Sequence, residues 1–584
     1  MSRRLAVRIA RSLRRPFPRL VAHFLHRLVR SGQESAADSE LGAGALLGLL
    51  AAPGALLSLI MLDKYSSVLN LIRGRLHIDI FVASLDDKYL FLSMAMAVTG
   101  IVTVLKWDRI LPDSQDYLNL APLPIRPSRI LLANAAAIAI AVTVFAVDVS
   151  AFSAILFPLF VTASAEASAA VYLQFAAAHA ACVLLASLFT FCAVFAVLGT
   201  LAAILPRHAF RACVSWIRGI ILLALVTLLL SGFSGYALAW RLEHVPHSAV
   251  RWLPSVWYLG LYQSLQHRAT PALAWAARTG LWAEAAAFTV MPLTYALSYR
   301  RRFAAILEGD RRPSQQRFLA VALAVLDLFA ARAPGFERAC HRFAVRALLR
   351  NEGHRLCLVV ALGLGWLLAF QGVAAGLAAG PPADGLPPAA LLAPTLSAAY
   401  LLVLGLRLAF DLPASLPSNW VFRVVLNLHD SQSLSAARRL VIAFLTPTVL
   451  LPSLAFAWWR WSAAFALLHT AYALALSLCY TEILLSGYRK IPLTCPMPGF
   501  RDNLLVMCLA QFLGFEFFTR AGAALEHWMF AYPPCFLLVP AFMAAAWYWN
   551  QRRLRDARDN GELEEGVTFE NAPLSSAIER LDLW

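Results

Sequence analysis

The sequence predicts an all-α integral membrane protein with about twelve transmembrane helices arranged as two six-helix halves. Three observations carry that reading. The 584 residues are 60% apolar or aromatic and only 14% charged, with a mean hydropathy of +0.65, whereas soluble chains average near half apolar and a quarter charged. Apolar runs long enough to cross a bilayer recur along the chain. The basic residues between those runs concentrate in alternate loops, and so on one side of the bilayer.

Twelve runs qualify: 41–62, 89–105, 130–150, 171–204, 217–239, 281–299, 356–376, 389–410, 440–457, 462–487, 503–518 and 530–549. Each is read as a helix, because an open strand or loop leaves its backbone polar groups unsatisfied in hydrocarbon. With the N-terminus inside, 40 of the 50 Lys and Arg residues lie on the cytoplasmic side, as the positive-inside rule requires. Both termini are then cytoplasmic. Tyr299-Arg300-Arg301-Arg302 and Trp547-Tyr548-Trp549 mark inner interfaces, and Trp458-Trp459-Arg460-Trp461 a tight outer turn.

Five segments follow in order. Residues 1–40 hold nine arginines, with Leu5, Ile9, Leu13, Leu20 and Phe24 at roughly helical intervals, which fits an amphipathic helix on the inner leaflet; a mitochondrial presequence has a similar composition. Residues 41–299 form the first six-span half. Residues 300–355 form an Arg-rich cytoplasmic connector, in which Phe318 to Ala331 is too short to cross. Within the connector Phe336 to Arg355 reads as a surface helix, with Phe343, Ala347 and Leu348 opposite Arg338, Arg342 and Arg346. Residues 356–549 form the second half, and 550–584 a cytoplasmic tail containing Glu562, Glu564 and Glu565. A surface helix leading into a six-span bundle occurs twice, which supports an internal repeat.

The charge of +16 belongs to the inner membrane face, and nucleic acid is not an expected partner. Only four basic residues are lysine, and 46 are arginine; with the abundant alanine this reads as compositional bias. Nine cysteines, at 182, 192, 213, 340, 357, 479, 495, 508 and 535, form no C-x-x-C pair, so neither a zinc site nor a disulfide framework follows. No cofactor is expected in this chain.

Two inner loops are the most informative stretches. In 106–129, Pro112 starts a short element, Leu118 and Leu120 supply an apolar side, and Pro122 and Pro124 stop it; Ser128 is placed to cap the third span. In 411–439, Pro413 and Pro417 set the approach, Ser418 or Asn419 caps, and Trp420, Val421 and Val424 offer an apolar face. Each loop either presents a short helix to a cytosolic partner or simply turns the chain at the interface.

The stretch from Asp116 through Leu-Ala-Pro-Leu-Pro-Ile-Arg to Asn134 resembles the loop between the second and third spans of type 2 ATP-binding-cassette exporter permeases. The later Leu412 to Arg423 is similar to large bacterial membrane proteins grouped with them. The resemblance covers less than a tenth of the chain. It implies a bacterial inner (cytoplasmic) membrane protein that transports an unknown substrate and docks on separate ATPase subunits. In the first loop docking would fall on Asp116, Leu120, Pro122, Pro124 and Arg126, and in the second on Pro417, Asn419, Trp420 and Arg423. Two departures are plain: two six-span halves are fused here, and residues 519–529 are much shorter than 240–280, where Leu253 to Leu265 suits a re-entrant interfacial helix.

The chain itself supplies no ATPase chemistry. None of its lysines follows a glycine, so no G-x-x-x-x-G-K-[ST] loop exists, and the chain is not expected to be an enzyme. Gly232-Phe-Ser-Gly235 has the G-x-S-G form of rhomboid-type proteases, with Ser234 needing His179 or His469 as base, but small residues near a helix end more often pack or turn it. Four acids fall in or beside spans: Asp148 near the outer end of the third, Glu284 in the sixth, Glu482 in the tenth and Glu516 near the outer end of the eleventh. A charge in hydrocarbon is costly, so these are candidate proton or transport-path groups of an ion-driven carrier; hydrogen bonding between helices explains them equally. A carrier of the major-facilitator type is the alternative reading, although Asp108-Arg109 lacks that family's flanking glycines. A non-transporting membrane scaffold or a lipid-acting membrane enzyme is the third.

Overall fold

The structure is a computed structural model, describing residues 16–29, 54–62, 64–65, 80–110, 120, 122, 124–232, 249–307, 317–378, 386–412, 430–485, 491–494 and 504–559. Of these, 91% are helical and none lies in a strand. Eight helices are long and apolar enough to cross a membrane. The chain divides into two compact units, Met1–Val214 with Ala224–Pro313, and Ser215–Leu223 with Ser314–Trp584.

In the first unit, α1 (Pro16–Val29) precedes α2 (Leu85–Ile110), α3 (Pro127–Ser164), α4 (Ala169–Ile204), α5 (Arg207–Gly232, of which Ser215–Leu223 belongs to the second unit), α6 (Pro254–Leu265) and α7 (Pro271–Leu307). Asp86 and Asp87 occupy the first turn of α2, where carboxylates suit the positive helix end. Chain reversals occur at Glu166 and His267, both with positive φ. The core is aromatic: Phe91, Phe157, Phe175 and Tyr262 are all buried, and Phe91 and Phe157 lie 4.8 Å apart. α1 lays Leu20 and Phe24 on Ile130, Ala133 and Ala137 of α3, so this amphipathic helix covers the start of a span.

The second unit holds α8 (Arg317–Leu328), α9 (Gly335–Arg350), α10 (Glu352–Ala378), α11 (Ala389–Phe410), α12 (Asp430–Leu445), α13 (Leu451–Arg460), α14 (Ala463–Leu484), α15 (Leu504–Glu516), α16 (Gly522–Ala531) and α17 (Leu538–Asp559). Single π turns, Thr446–Leu450 and Phe517–Ala521, join α12 to α13 and α15 to α16. α10 and α11 approach closely because both carry glycine at the contact. A Cβ on Gly365 would sit 2.9 Å from the Cα of Ala398, and one on Gly405 would meet the methyl of Ala361, the small-residue packing that membrane helices favour. Within the same unit Arg218, buried, donates to Glu352 over 2.7 Å.

Several expectations change. α3 begins at Pro127 after Arg126, without a side-chain cap, so Ser128 does not cap it; Pro127 supplies the preset φ and has no N–H to satisfy. α3 also continues fourteen residues past 150. The stretch from Leu253 to Leu265 forms α6, too short to span as expected, and buries Val256, Tyr258, Leu259 and Tyr262 in the core of the unit. Of the twelve runs, eight coincide with the long apolar helices. Run 281–299 lies inside α7, whose Arg278, Glu284 and Arg300 to Arg302 dilute its hydropathy. Run 503–518 ends in a π turn, and 530–549 is interrupted by Pro533 and Pro534. Of 41–62, residues 54–62 are helical and the remainder lies outside the described residues.

The α9 face also differs from the expected one. Glu337, Cys340, His341, Ala344, Val345 and Leu348 are buried, whereas Phe343 and Ala347 lie half-buried at its edge. Burial pushes the His341 imidazole below its ordinary value, and its Nε2–H donates to the Leu326 carbonyl at 3.0 Å.

Candidate functional site

The first proline-bounded loop is partly described. Leu120 and Ile125 pack against the cluster formed by α1 and α3, while Pro122, Pro124 and Arg126 are exposed. The loop is therefore tied down by its apolar residues and presents a short Pro-Arg surface beyond them. Asp116, Pro417, Asn419, Trp420 and Arg423 lie outside the described residues, as does Ser234.

The four candidate acids meet different partners. Asp148 stands in the middle of α3, since the helix continues to Ser164. It is half-buried, with one enclosed oxygen that has no hydrogen-bond partner among the described residues. Glu284 of α7 is buried and accepts a hydrogen bond from the Tyr258 hydroxyl of α6. Glu482 accepts from Arg438 at 2.6 Å. Glu516 pairs with the exposed Arg520 one turn on, and an exposed pair of that kind contributes little. Three of the four thus face a polar group or a neutralising arginine on the described chain.

Two buried polar constellations were not singled out from the sequence. In the first unit Lys88 is fully buried. Its Nζ donates to Gln266 Oε1 at 2.8 Å and lies about 5 Å from the rings of Phe175 and Tyr262, so the faces of two rings help to hold the ammonium. His179 Nδ1 lies 3.1 Å from the Tyr262 hydroxyl and Nε2 3.4 Å from Ser153 Oγ. Nearby in sequence, Asp87 accepts from Lys64 at 2.7 Å and from the Tyr65 hydroxyl at 2.5 Å.

In the second unit four groups form an unbroken hydrogen-bonded chain. Glu526 Oε1 of α16 is 2.6 Å from His469 Nδ1 of α14. His469 Nε2 is 3.0 Å from Thr395 Oγ1 of α11, which is 2.6 Å from Ser453 Oγ of α13. Glu526 has no exposed surface and His469 2%. Carboxylate, imidazole and two hydroxyls in series can hold or pass a proton. His469 was legible as a polar group inside a span; the missing signal was that such a group needs a partner, and Glu526 had been placed in the short segment between the last two runs.

The same unit encloses a groove of about 680 Å³ lined by Tyr400, Tyr480, Phe517, Phe518, Trp528 and Phe542 among others. Its polar floor is compact. Gln511 Oε1 receives the hydroxyls of Tyr400 at 2.9 Å and Tyr480 at 2.7 Å, and the two rings stack at 4.2 Å. With the amide oxygen occupied, the Gln511 NH₂ is the donor left for a ligand, in a groove that is otherwise apolar.

No family model, curated protein or solved structure matches this chain. Among the described residues, eight helices are long and apolar enough to cross a membrane, which suggests a membrane-embedded protein.

Proposed function

We propose that the chain is the membrane-embedded permease subunit of an ATP-driven exporter, coupled through cytoplasmic loops to separate ATPase subunits. The observation that carries this reading is the loop before α3: Leu120 is seated against α1 and α3 while Pro122, Pro124 and Arg126 stay exposed. A docking element has to transmit force, so it must be fixed to a span on one side and open to its partner on the other. The Arg-rich connector and the twelve apolar runs support two six-span halves with both termini cytoplasmic. The resemblance of that loop supports a bacterial inner membrane. The groove floored by Gln511 supports an apolar or amphipathic cargo with a hydrogen-bond acceptor.

Extraction in a mild detergent tests the reading. The wild-type chain is expected to bring an ATPase with it. The Pro122→Gly, Pro124→Gly, Arg126→Glu variant is expected to recover at least about tenfold less, the loss typical of an interface hot spot, with an unchanged elution profile because these residues are exposed. Failure of the wild-type chain to retain any ATPase, under conditions that preserve known exporters, would end the exporter reading.

A second reading is favoured by one observation, the buried Glu526-His469 pair. Intramembrane ionisable pairs commonly mark proton relays, so a gradient-driven carrier would place its coupling proton there. Substrate uptake by the purified chain alone, driven by an imposed pH gradient and abolished in Glu526→Gln, would select the carrier.

A further inference from the structure

The exposed side of α9 is a ladder of arginines. Arg338, Arg342, Arg346 and Arg350 recur every fourth residue, lining a groove of about 740 Å³ together with Phe343 and Ala347. Successive rungs rise about 6 Å along a helix, so the ladder reaches past more than one anionic group. The opposite side of α9 is fixed: Glu337 pairs with Arg439 of α12, His341 donates to Leu326, and Val345 and Leu348 enter the core. The helix cannot roll its arginines inward without breaking those contacts.

The rungs are not equally engaged. Arg338 donates to the carbonyls of Ala331 and Ala333 at 2.8 and 3.0 Å, and Arg342 lies 3.5 Å from Asp327. Among the described residues no acid pairs with Arg346 or Arg350, and both are exposed. These two stand at the end nearest α10, an apolar helix long enough to span, which begins at Glu352 only two residues after Arg350. A helix that leads so directly into a span holds its last turns at the depth of the lipid headgroups. Like-charged guanidiniums on one face repel unless an anion lies between them, and the guanidinium fork matches phosphate oxygens.

We propose that the α9 ladder is a binding site for anionic phospholipid headgroups, with Arg346 and Arg350 gripping the phosphate and Phe343 meeting the first carbons of the acyl chains. Clusters of basic residues beside a membrane helix attract anionic lipid in this way. The site is independent of what the protein transports and of what drives it.

The test uses the full chain in detergent, titrated with phosphatidylglycerol or phosphatidylcholine, with bound lipid counted by native mass spectrometry. Wild-type protein is expected to retain phosphatidylglycerol and not phosphatidylcholine, with retention falling as salt rises. Arg346→Gln/Arg350→Gln is expected to retain phosphatidylglycerol on the order of tenfold less, and Arg346→Lys/Arg350→Lys to keep most of it. Should the glutamine pair fail to fold, the lysine pair and the salt dependence still decide. Equal retention by the glutamine pair and wild type would overturn the site, as would complete displacement of the lipid by millimolar inorganic phosphate, which would mark a free-anion site. Loss of an acidic protein partner with unchanged lipid retention would assign the ladder to that partner and equally overturn the proposal.

Discussion

His469→Ala is expected to destabilise the protein by about 1–3 kcal/mol, the loss typical when a buried hydrogen-bonding group is left without its partner. Glu526 is wholly enclosed, and its second oxygen already lacks a partner among the described residues. Without His469 its first oxygen loses the 2.6 Å contact as well, and Thr395 loses its imidazole partner. Glu526→Ala should cost less, because it leaves an imidazole still bonded to Thr395 rather than a stranded carboxyl. The decisive measurement is the double variant. In a thermal unfolding cycle followed by size-exclusion fluorescence, the combined change is expected to fall short of the sum of the singles by more than about 1 kcal/mol, as for contacting residues. Strict additivity would mean that the two side chains do not interact, and the proton-relay role of the chain would fall with it.

That pair also shows where the sequence stopped being informative. The spans were legible because twenty apolar residues have few alternatives in a bilayer. Polar residues within them were harder to place. Asp148 reads as near a helix end because the apolar run is bounded at 150, yet the hydroxyls of Ser150 and Ser153 bond back to the carbonyls of Ala146 and Ser150, and Thr162 bonds to the carbonyl of Pro158 one turn back. Hydroxyls that bond to their own helix need no water, so α3 continues through a stretch that reads as its boundary. His469 and Glu526 are 57 residues apart, and nothing in local periodicity announces that α14 and α16 pack together.

α6 shows a related limit of local composition. α6 carries Trp257, Tyr258 and Tyr262 with a proline at its start, a composition that suits a headgroup layer. Its tyrosine hydroxyls instead meet Glu284 and His179, so the polar ends that water would satisfy at an interface are satisfied inside the unit. The first-loop residues fared differently: Leu118 and Leu120 were expected to form an apolar side, and Leu120 does lie on the cluster with α1. Pro122, Pro124 and Arg126 are defined in the structure by their exposure alone.

The α6–α7 contact carries the other large expected effect. A Cβ at Gly260 would collide with the Leu273 carbonyl oxygen and lie 2.8 Å from the Ala277 nitrogen. Both are backbone atoms of α7, so no rotamer change relieves the clash and the helices must separate. Gly280 makes the reciprocal approach, its Cβ position lying 3.0 Å from the Cβ of Trp257. Gly260→Val is therefore expected to cost at least about 3 kcal/mol, the upper end for overpacking, and to lower the unfolding temperature by about 6 °C or more. Separation would also draw Tyr258 from Glu284 and Tyr262 from the rings and cation around Lys88, stranding buried polar groups and adding to the loss. Gly335→Ala serves as the matched control: nothing lies within 4 Å of its Cβ position at the start of α9, so alanine should be neutral or stabilise by up to about 1 kcal/mol. If both substitutions shifted the unfolding temperature equally, close backbone approach would not be what holds α6 to α7. If only Gly260→Val does so, the first unit depends on that contact to keep its buried Lys88, His179 and Glu284 satisfied.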